Sequence, residues 1–260
     1  MGSAVPVHHV VEGPAAAPVV LMSNSLGSDL TMWDPQAAAL ARGHRVVRYD
    51  LRGHGRSPAP PGPYRLTDLA ADALALLDRL EVARAHLVGL SLGGMVAVQV
   101  AADAPERVDR MVLCCTSAHL PPASGWLQRA ATVRARGMPA VSAAVVERWL
   151  TPGFAAASPA LVRDLCRMVE TTPPEGYAAC CEALAAMDLR EHLRRISAPT
   201  LLVAGSDDPA TPVTHAEAIA AGLAGARVVT VGPAAHLANV EQPTAVTQHI
   251  LAHLDNGARP

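Results

Sequence analysis

The chain has 260 residues, half of them hydrophobic, and a formal net charge of −2 in which all 21 basic side chains are arginine. That length suits one large domain, or one domain carrying an insertion. The near-neutral charge and the lack of a basic stripe argue against nucleic acid or an anionic membrane surface as partner, and no apolar run approaches the ~20 residues of a membrane span.

The opening segment MGSAVPVHHVVEGP lacks the basic region followed by an apolar stretch that marks a signal peptide. Within it, VPVHHVVEG reads as an antiparallel edge hairpin. Strands are then expected at APVVLMSN (17–24), HRVVRYD (44–50), AHLVGLS (85–91) and VDRMVLCC (108–115), which are short, rich in valine and leucine, and bounded by turn residues. Between the second and third of these, LTDLAADALALLDRL (66–80) sets Leu69, Ala73, Leu76, Leu77 and Leu80 on one helical face, with Thr67 as a candidate cap. Such alternation predicts a mostly parallel sheet with helices on both faces. From about 118 to 196 the strands stop. Helices are expected at 127–149 and 157–193, punctuated by Pro121-Pro122, Pro152-Gly153 and Pro173-Pro174. Strands resume at PTLLVAGSD (199–207) and ARVVTVG (226–232). The expected organisation is therefore a core over 1–117 and 197–260, interrupted by a helical insertion at 118–196. Two adjacent cysteine pairs, Cys114/Cys115 and Cys180/Cys181, with Cys166 alone, form neither a disulfide framework nor a C-x-x-C metal site. Reduced thiols packed as small hydrophobes, and hence a cytoplasmic setting, are expected.

The densest chemical signal is Gly89-Leu90-Ser91-Leu92-Gly93, at the end of a strand and the start of a helix. A serine there sits on a sharp, strained turn, and glycines two residues to either side let neighbouring backbone approach. The turn exposes Ser91 Oγ at the carboxyl edge of the sheet and puts the N–H of Leu92 at a helix N-terminus, suited to an oxyanion. A serine hydroxyl needs a base. Among eleven histidines, His236 in GPAAHLANVEQP follows the last strand and lies at the same edge; His54 in LRGHGRS is the second choice. The base needs an acid, and AGSDDPATP offers Asp207 and Asp208, one of which is expected to cap or turn the chain instead. A second oxyanion donor is expected from the loop MSNSLGSDLTMW (22–33), at the N–H of Leu26 with Ser25 in reserve.

These segments together resemble the α/β-hydrolase fold family, over nearly the whole chain. YDLRGHGRS and PERVDRMVL fit it as well. SNSLGSDLTMWDPQ, TPPEGYAACCEALAAMDLR and DPATP…AAHLANVEQP are similar to 3-oxoadipate enol-lactonases. The resemblance implies a mostly parallel eight-stranded sheet with an inserted helical cap, and it assigns the acid to Asp208. It implies a Ser91–His236–Asp208 triad that opens a small enol-lactone through an acyl-enzyme, without metal or organic cofactor. The substrate it implies carries a free carboxylate, for which the cap stretch GWLQRAATVRARGM offers Arg129 and Arg134, with Trp126 as an apolar wall. Another ester or lactone hydrolase, or a perhydrolase, would use the same triad, and a non-catalytic ligand-binding member of the fold is the reading from a different class.

Overall fold

The computed structural model describes residues 4–255. A seven-stranded sheet in the order β1-β3-β2-β4-β5-β6-β7 is built from β1 (His9–Glu12), β2 (Val19–Ser23), β3 (Arg45–Tyr49), β4 (Ala85–Leu90), β5 (Val108–Cys114), β6 (Thr200–Gly205) and β7 (Arg227–Val231). Only β1 runs antiparallel, on β3; the rest pair in parallel. Every residue of the central strands β4 and β6 is buried, as expected of strands covered on both faces, whereas the edge strands β1 and β7 are partly exposed.

Among the described residues seven strands stand where eight were expected. The segment VPVHHVVEG contributes one strand and not a hairpin, for a local reason. Pro6 has no N–H to donate to a ladder. The N–H of Val5 goes instead to Asp72 Oδ1 at 2.7 Å, and Val7 turns back on the carbonyl of Val5 at 2.9 Å. The segment YDLRGHGRS therefore follows the third strand, and the helical insertion follows the fifth.

The helices of the core are α1 (Asp34–Leu40), α2 (Leu66–Arg79) and α3 (Leu92–Asp103), then, after the insertion, α9 (Val213–Gly222), α10 (Ala238–Glu241) and α11 (Pro243–Asp255). Helix α2 buries Leu66, Leu69, Ala70, Ala73, Leu76 and Leu77 along one stripe. Its cap differs from expectation: Arg65 precedes the first turn and its N–H is taken by Asp68 at 2.8 Å, while Thr67 lies inside the helix. Helices α1 and α11 pack together, as do α2 and α3. The chain travels from β2 to β3 and then back across to β4, so the strand order reverses between β2 and β4. Right-handed crossovers travelling in opposite directions put their helices on opposite faces. They also leave a crevice at the carboxyl ends of β2 and β4, the usual place for a ligand in such a sheet.

Between β5 and β6 lie α4 (Ala123–Arg136), α5 (Ser142–Trp149), α6 (Pro152–Ala157), α7 (Pro159–Thr171) and α8 (Pro174–Ala186). The two long helices expected here are each broken. Gly137, at φ +74°, ends α4 before Pro139, and Pro173 separates α7 from α8. The ends of the insertion are tied together, with Leu189 N–H donating to the carbonyl of Ala118 at 2.8 Å and a bridge between His119 and Asp188. Helix α4 packs on α8, and α5 on α7. At one point α8 also meets the core backbone to backbone. A Cβ on Gly176 would fall 2.3 Å from the Cα of Gly53, so glycine is required on both sides of that contact.

All five cysteines are free, and four of them are buried. Among the described residues no helix is long and apolar enough to cross a membrane.

Candidate active site

Strand β4 ends at Leu90 and α3 begins at Leu92, which leaves Ser91 alone to reverse the chain. It does so at φ +55°, ψ −117°, a conformation that costs a non-glycine residue about 1–3 kcal/mol. The strain is held from both sides: Ser91 N–H donates to Cys114 O at 2.9 Å, and its carbonyl accepts from Thr116 Oγ1 at 2.7 Å. A Cβ on Gly89 would lie 2.3 Å from Gly93 O, and one on Gly93 would lie 2.2 Å from Ser23 O. The glycines of the motif are thus demanded by close backbone approach. The N–H of Leu92 belongs to the first turn of α3, where amides have no partner within the helix.

The loop after β2 faces this turn. Of the four N–H groups at 25–28, three are occupied: Ser25 donates to Met32 Sδ at 3.3 Å, Gly27 to His54 Nε2 at 2.9 Å, and Ser28 to Ser25 O at 3.2 Å. The N–H of Leu26 makes no hydrogen bond among the described residues, and Leu26 lines the same cavity as Ser91. The loop leaves Leu26 free to donate and uses up its reserve, Ser25. His54, the second choice for the base, lies beneath the loop and not in the cavity. It is fully buried, its Nδ1 donates to Arg52 O at 3.1 Å, and burial holds it below the usual histidine range. A neutral ring with Nε2 unprotonated is the form that accepts from Gly27.

Asp208 follows β6 and turns its buried carboxylate back onto its own loop. Oδ1 accepts the N–H groups of Ala210 and Thr211 at 2.8 and 3.0 Å, and Oδ2 accepts Thr211 Oγ1 at 2.7 Å and His236 Nδ1 at 2.8 Å. Burial pushes this carboxyl up, but the His236 charge and these hydrogen bonds outweigh it and bring it down to about 2. Asp207 is exposed, accepts from Ser206 Oγ at 2.6 Å, and does not meet His236. The structure therefore brings together Asp208 and His236, with the latter lining one cavity with Ser91 and Leu26. Thr211, which bonds the Asp208 carboxylate, was not singled out by sequence; its position three residues after the acid was the available signal.

The cavity has a volume of about 130 Å³ and its far wall comes from the insertion: Trp126, Arg129, Val145, Arg148, Trp149 and Tyr177. Arg129 lies over the Trp126 ring at 4.9 Å, and the Trp126 indole donates to Leu120 O at 3.1 Å. Arg134 is not part of this wall. Its guanidinium is taken by Glu175 and Glu182 of α8, with Nε to Glu175 Oε2 at 2.8 Å, and these carboxylates raise its pKa further. The expectation that Arg134 meets a substrate carboxylate is corrected accordingly: an i+5 spacing from Arg129 turns it to the α8 side. Arg148 takes the vacant place. It is partly buried and forms no ion pair among the described residues; burial and then the charge of Arg129 lower its pKa. The Tyr177 hydroxyl beside them is buried without a hydrogen-bond partner among the described residues, and burial pushes it up to about 12. Arg148 and Tyr177 were missed because no short motif marks them; only the packing of α5 and α8 turns them inward.

Residues 18–243 match the family model described as alpha/beta hydrolase fold. The chain is 39% identical over 248 residues to 3-oxoadipate enol-lactonase 2 of Acinetobacter baylyi, covering 95% of this chain and 92% of the relative. It is 37% identical over 224 residues to RutD of Variovorax paradoxus, a protein named for carbamate hydrolysis, covering 84% of each. The crystal structure of the enol-lactonase from Burkholderia xenovorans LB400 superposes with a TM-score of 0.94 at 40% identity, covering 97% of this chain and 98% of that one.

Proposed function

The chain belongs to the α/β-hydrolase fold family and is a hydrolase of the enol-lactonase type; from that premise we propose that it opens a small enol-lactone bearing a free carboxylate, 3-oxoadipate enol-lactone being the best candidate. In this reading Ser91 Oγ attacks the lactone carbonyl while its proton passes to His236 Nε2. Asp208, ionised, holds the Nδ1 proton of the ring and compensates the imidazolium. The carbonyl oxygen becomes an oxyanion facing the N–H groups of Leu26 and Leu92, donors that need no reorganisation. Collapse breaks the ring C–O bond and releases an enolate, which takes the proton held on His236 Nε2, leaves the ring neutral and relaxes to a ketone. Water then gives its proton to His236 as it attacks the acyl-serine, and Ser91 regains its own proton as the acid leaves. Residues 118–196 act as a cap that closes over the ring.

The observation that carries the substrate class is the pair Arg129 and Arg148, two cationic side chains in one small cavity that form no ion pair with a carboxylate among the described residues. Guanidinium groups in that setting favour a ligand carboxylate, an interaction worth ~2–5 kcal/mol when desolvated. The test is a panel of the enol-lactone, its neutral methyl ester, p-nitrophenyl acetate and a carbamate, run on wild type, Ser91→Ala and Arg148→Met. Ser91→Ala is expected to lose turnover by several orders of magnitude while remaining folded. Arg148→Met is expected to raise KM about 10–100-fold for the carboxylate-bearing lactone and to leave that for the methyl ester nearly unchanged. Preferential turnover of the carbamate would replace the lactone reading with that of the RutD relative.

A further inference from the structure

Glu241, at the end of α10, is buried (6% exposed) and has no arginine partner among the described residues. A buried carboxylate without a cation is tolerated only when hydrogen bonds saturate it. Here three donors converge on it. Oε2 accepts the N–H of Ala235 at 2.5 Å, and Oε1 accepts the N–H and the hydroxyl of Thr151 at 2.9 and 2.6 Å. Two acceptor oxygens are therefore required. A glutamine supplies one, and in either orientation its NH₂ group meets a backbone N–H.

The two ends of this bridge have different allegiances. Ala235 immediately precedes His236. Thr151 joins α5 to α6, two residues after Trp149, which forms part of the cavity wall. A second bond runs in parallel: the N–H of Leu237 donates to the carbonyl of Trp149 at 2.9 Å. Both chain neighbours of His236 are thus fastened to residues 149–151 of the insertion. Glu241 itself does not line the cavity.

We propose that Glu241 is a positioning residue, whose carboxylate ties the seating of the 149–151 segment to the placement of the His236 imidazole. The cavity wall and the base then move as one piece, so that a substrate pressed against Trp149 and Arg148 meets a correctly placed ring. This inference rests on the reading of His236 as general base.

The full-length chain is tested as wild type, Glu241→Gln, Thr151→Val, the double variant and His236→Ala. The readout is the rate at which a fluorophosphonate probe labels Ser91, per folded molecule and as a function of pH, together with kcat and KM for p-nitrophenyl acetate. Glu241→Gln is expected to slow labelling and kcat about 10–100-fold, with KM within about twofold and a displaced pH profile. Thr151→Val is expected to fall between wild type and Glu241→Gln, and the double variant to be no slower than Glu241→Gln alone. Wild-type labelling with a wild-type pH profile in Glu241→Gln, beside an inert His236→Ala, overturns the positioning role and leaves the base assignment standing. Wild-type labelling in His236→Ala removes the base assignment and this inference with it. If Glu241→Gln does not fold, Thr151→Val decides: slowed labelling supports the bridge, and an unchanged rate overturns it.

Discussion

Asp207 and Asp208 are neighbours in the chain with opposite surroundings, one exposed against Ser206 and the other buried against Thr211 and His236. Asp208→Asn replaces one acceptor oxygen by an NH₂ group in a site where four donors converge, and it removes the charge that compensates an imidazolium. We expect kcat to fall by about 10³–10⁴-fold, against less than about threefold for Asp207→Asn, measured on p-nitrophenyl acetate; equal losses would leave the acid unassigned. His54 offers a second test at this scale. Its Nε2 accepts the N–H of Gly27, next to the oxyanion donor proposed at Leu26. His54→Phe fills the volume without an acceptor, so the loop is expected to shift and kcat to fall about 10–100-fold, with KM changing far less. The strained turn at Ser91 was legible in sequence because its geometry is local: a strand, a turn and a helix within ten residues. The role of His54 was not, because its partner is 27 residues away and nothing in LRGHGRS names it.

At the scale of elements, the sheet and its helices were visible as alternating apolar runs, while the insertion was visible as a loss of strands and as two long helical stretches. Its breaks at Gly137 and Pro173 follow from backbone chemistry present in the sequence, but which faces of α4, α5 and α8 meet the core depends on their mutual packing. Arg134 and Arg148 make the point together. Both are arginines in helical segments, yet one is spent on Glu175 and Glu182 and the other lines the cavity. The contact of Gly53 with Gly176, in the first turn of α8, pins that helix one residue before Tyr177. Gly176→Ala puts a methyl group into backbone that has no flexible end to yield. It is expected to destabilise the fold by ~1–3 kcal/mol and to raise KM for the carboxylate-bearing lactone by displacing Tyr177. Urea unfolding and steady-state kinetics check the two effects separately; an unchanged midpoint would show that the contact is loose.

Across the whole molecule, the candidate site and the most perturbed histidine occupy opposite ends of the sheet. His86, near the start of β4, is 9% exposed, its Nδ1 has no hydrogen-bond partner among the described residues, and its ring meets that of His44 at 6.0 Å. Burial first, then the charges of His44, Arg110 and His253, against the opposing pull of Asp109, lower it from 6.5 to about 4. Between these values the unfolded chain binds a proton that the folded chain refuses. The associated stability is complete above about pH 6.5 and is lost as pH falls towards 4, on the order of 2–3 kcal/mol in all. Urea midpoints at neutral pH and at about pH 4.5 should show this loss in wild type and a smaller one in His86→Phe. An equal fall in both would assign the acid sensitivity elsewhere. By itself the sequence determined the class of fold and the turn that presents Ser91, because each is written in periodicity or in a few adjacent residues. Tertiary structure alone decided that the sheet has seven strands, that Arg148 and not Arg134 faces the cavity, and that Glu241 joins the insertion to the His236 loop. Those outcomes depend on hydrogen-bond donors and helix faces far apart in the chain, and they are settled only when the packed core fixes where each one ends.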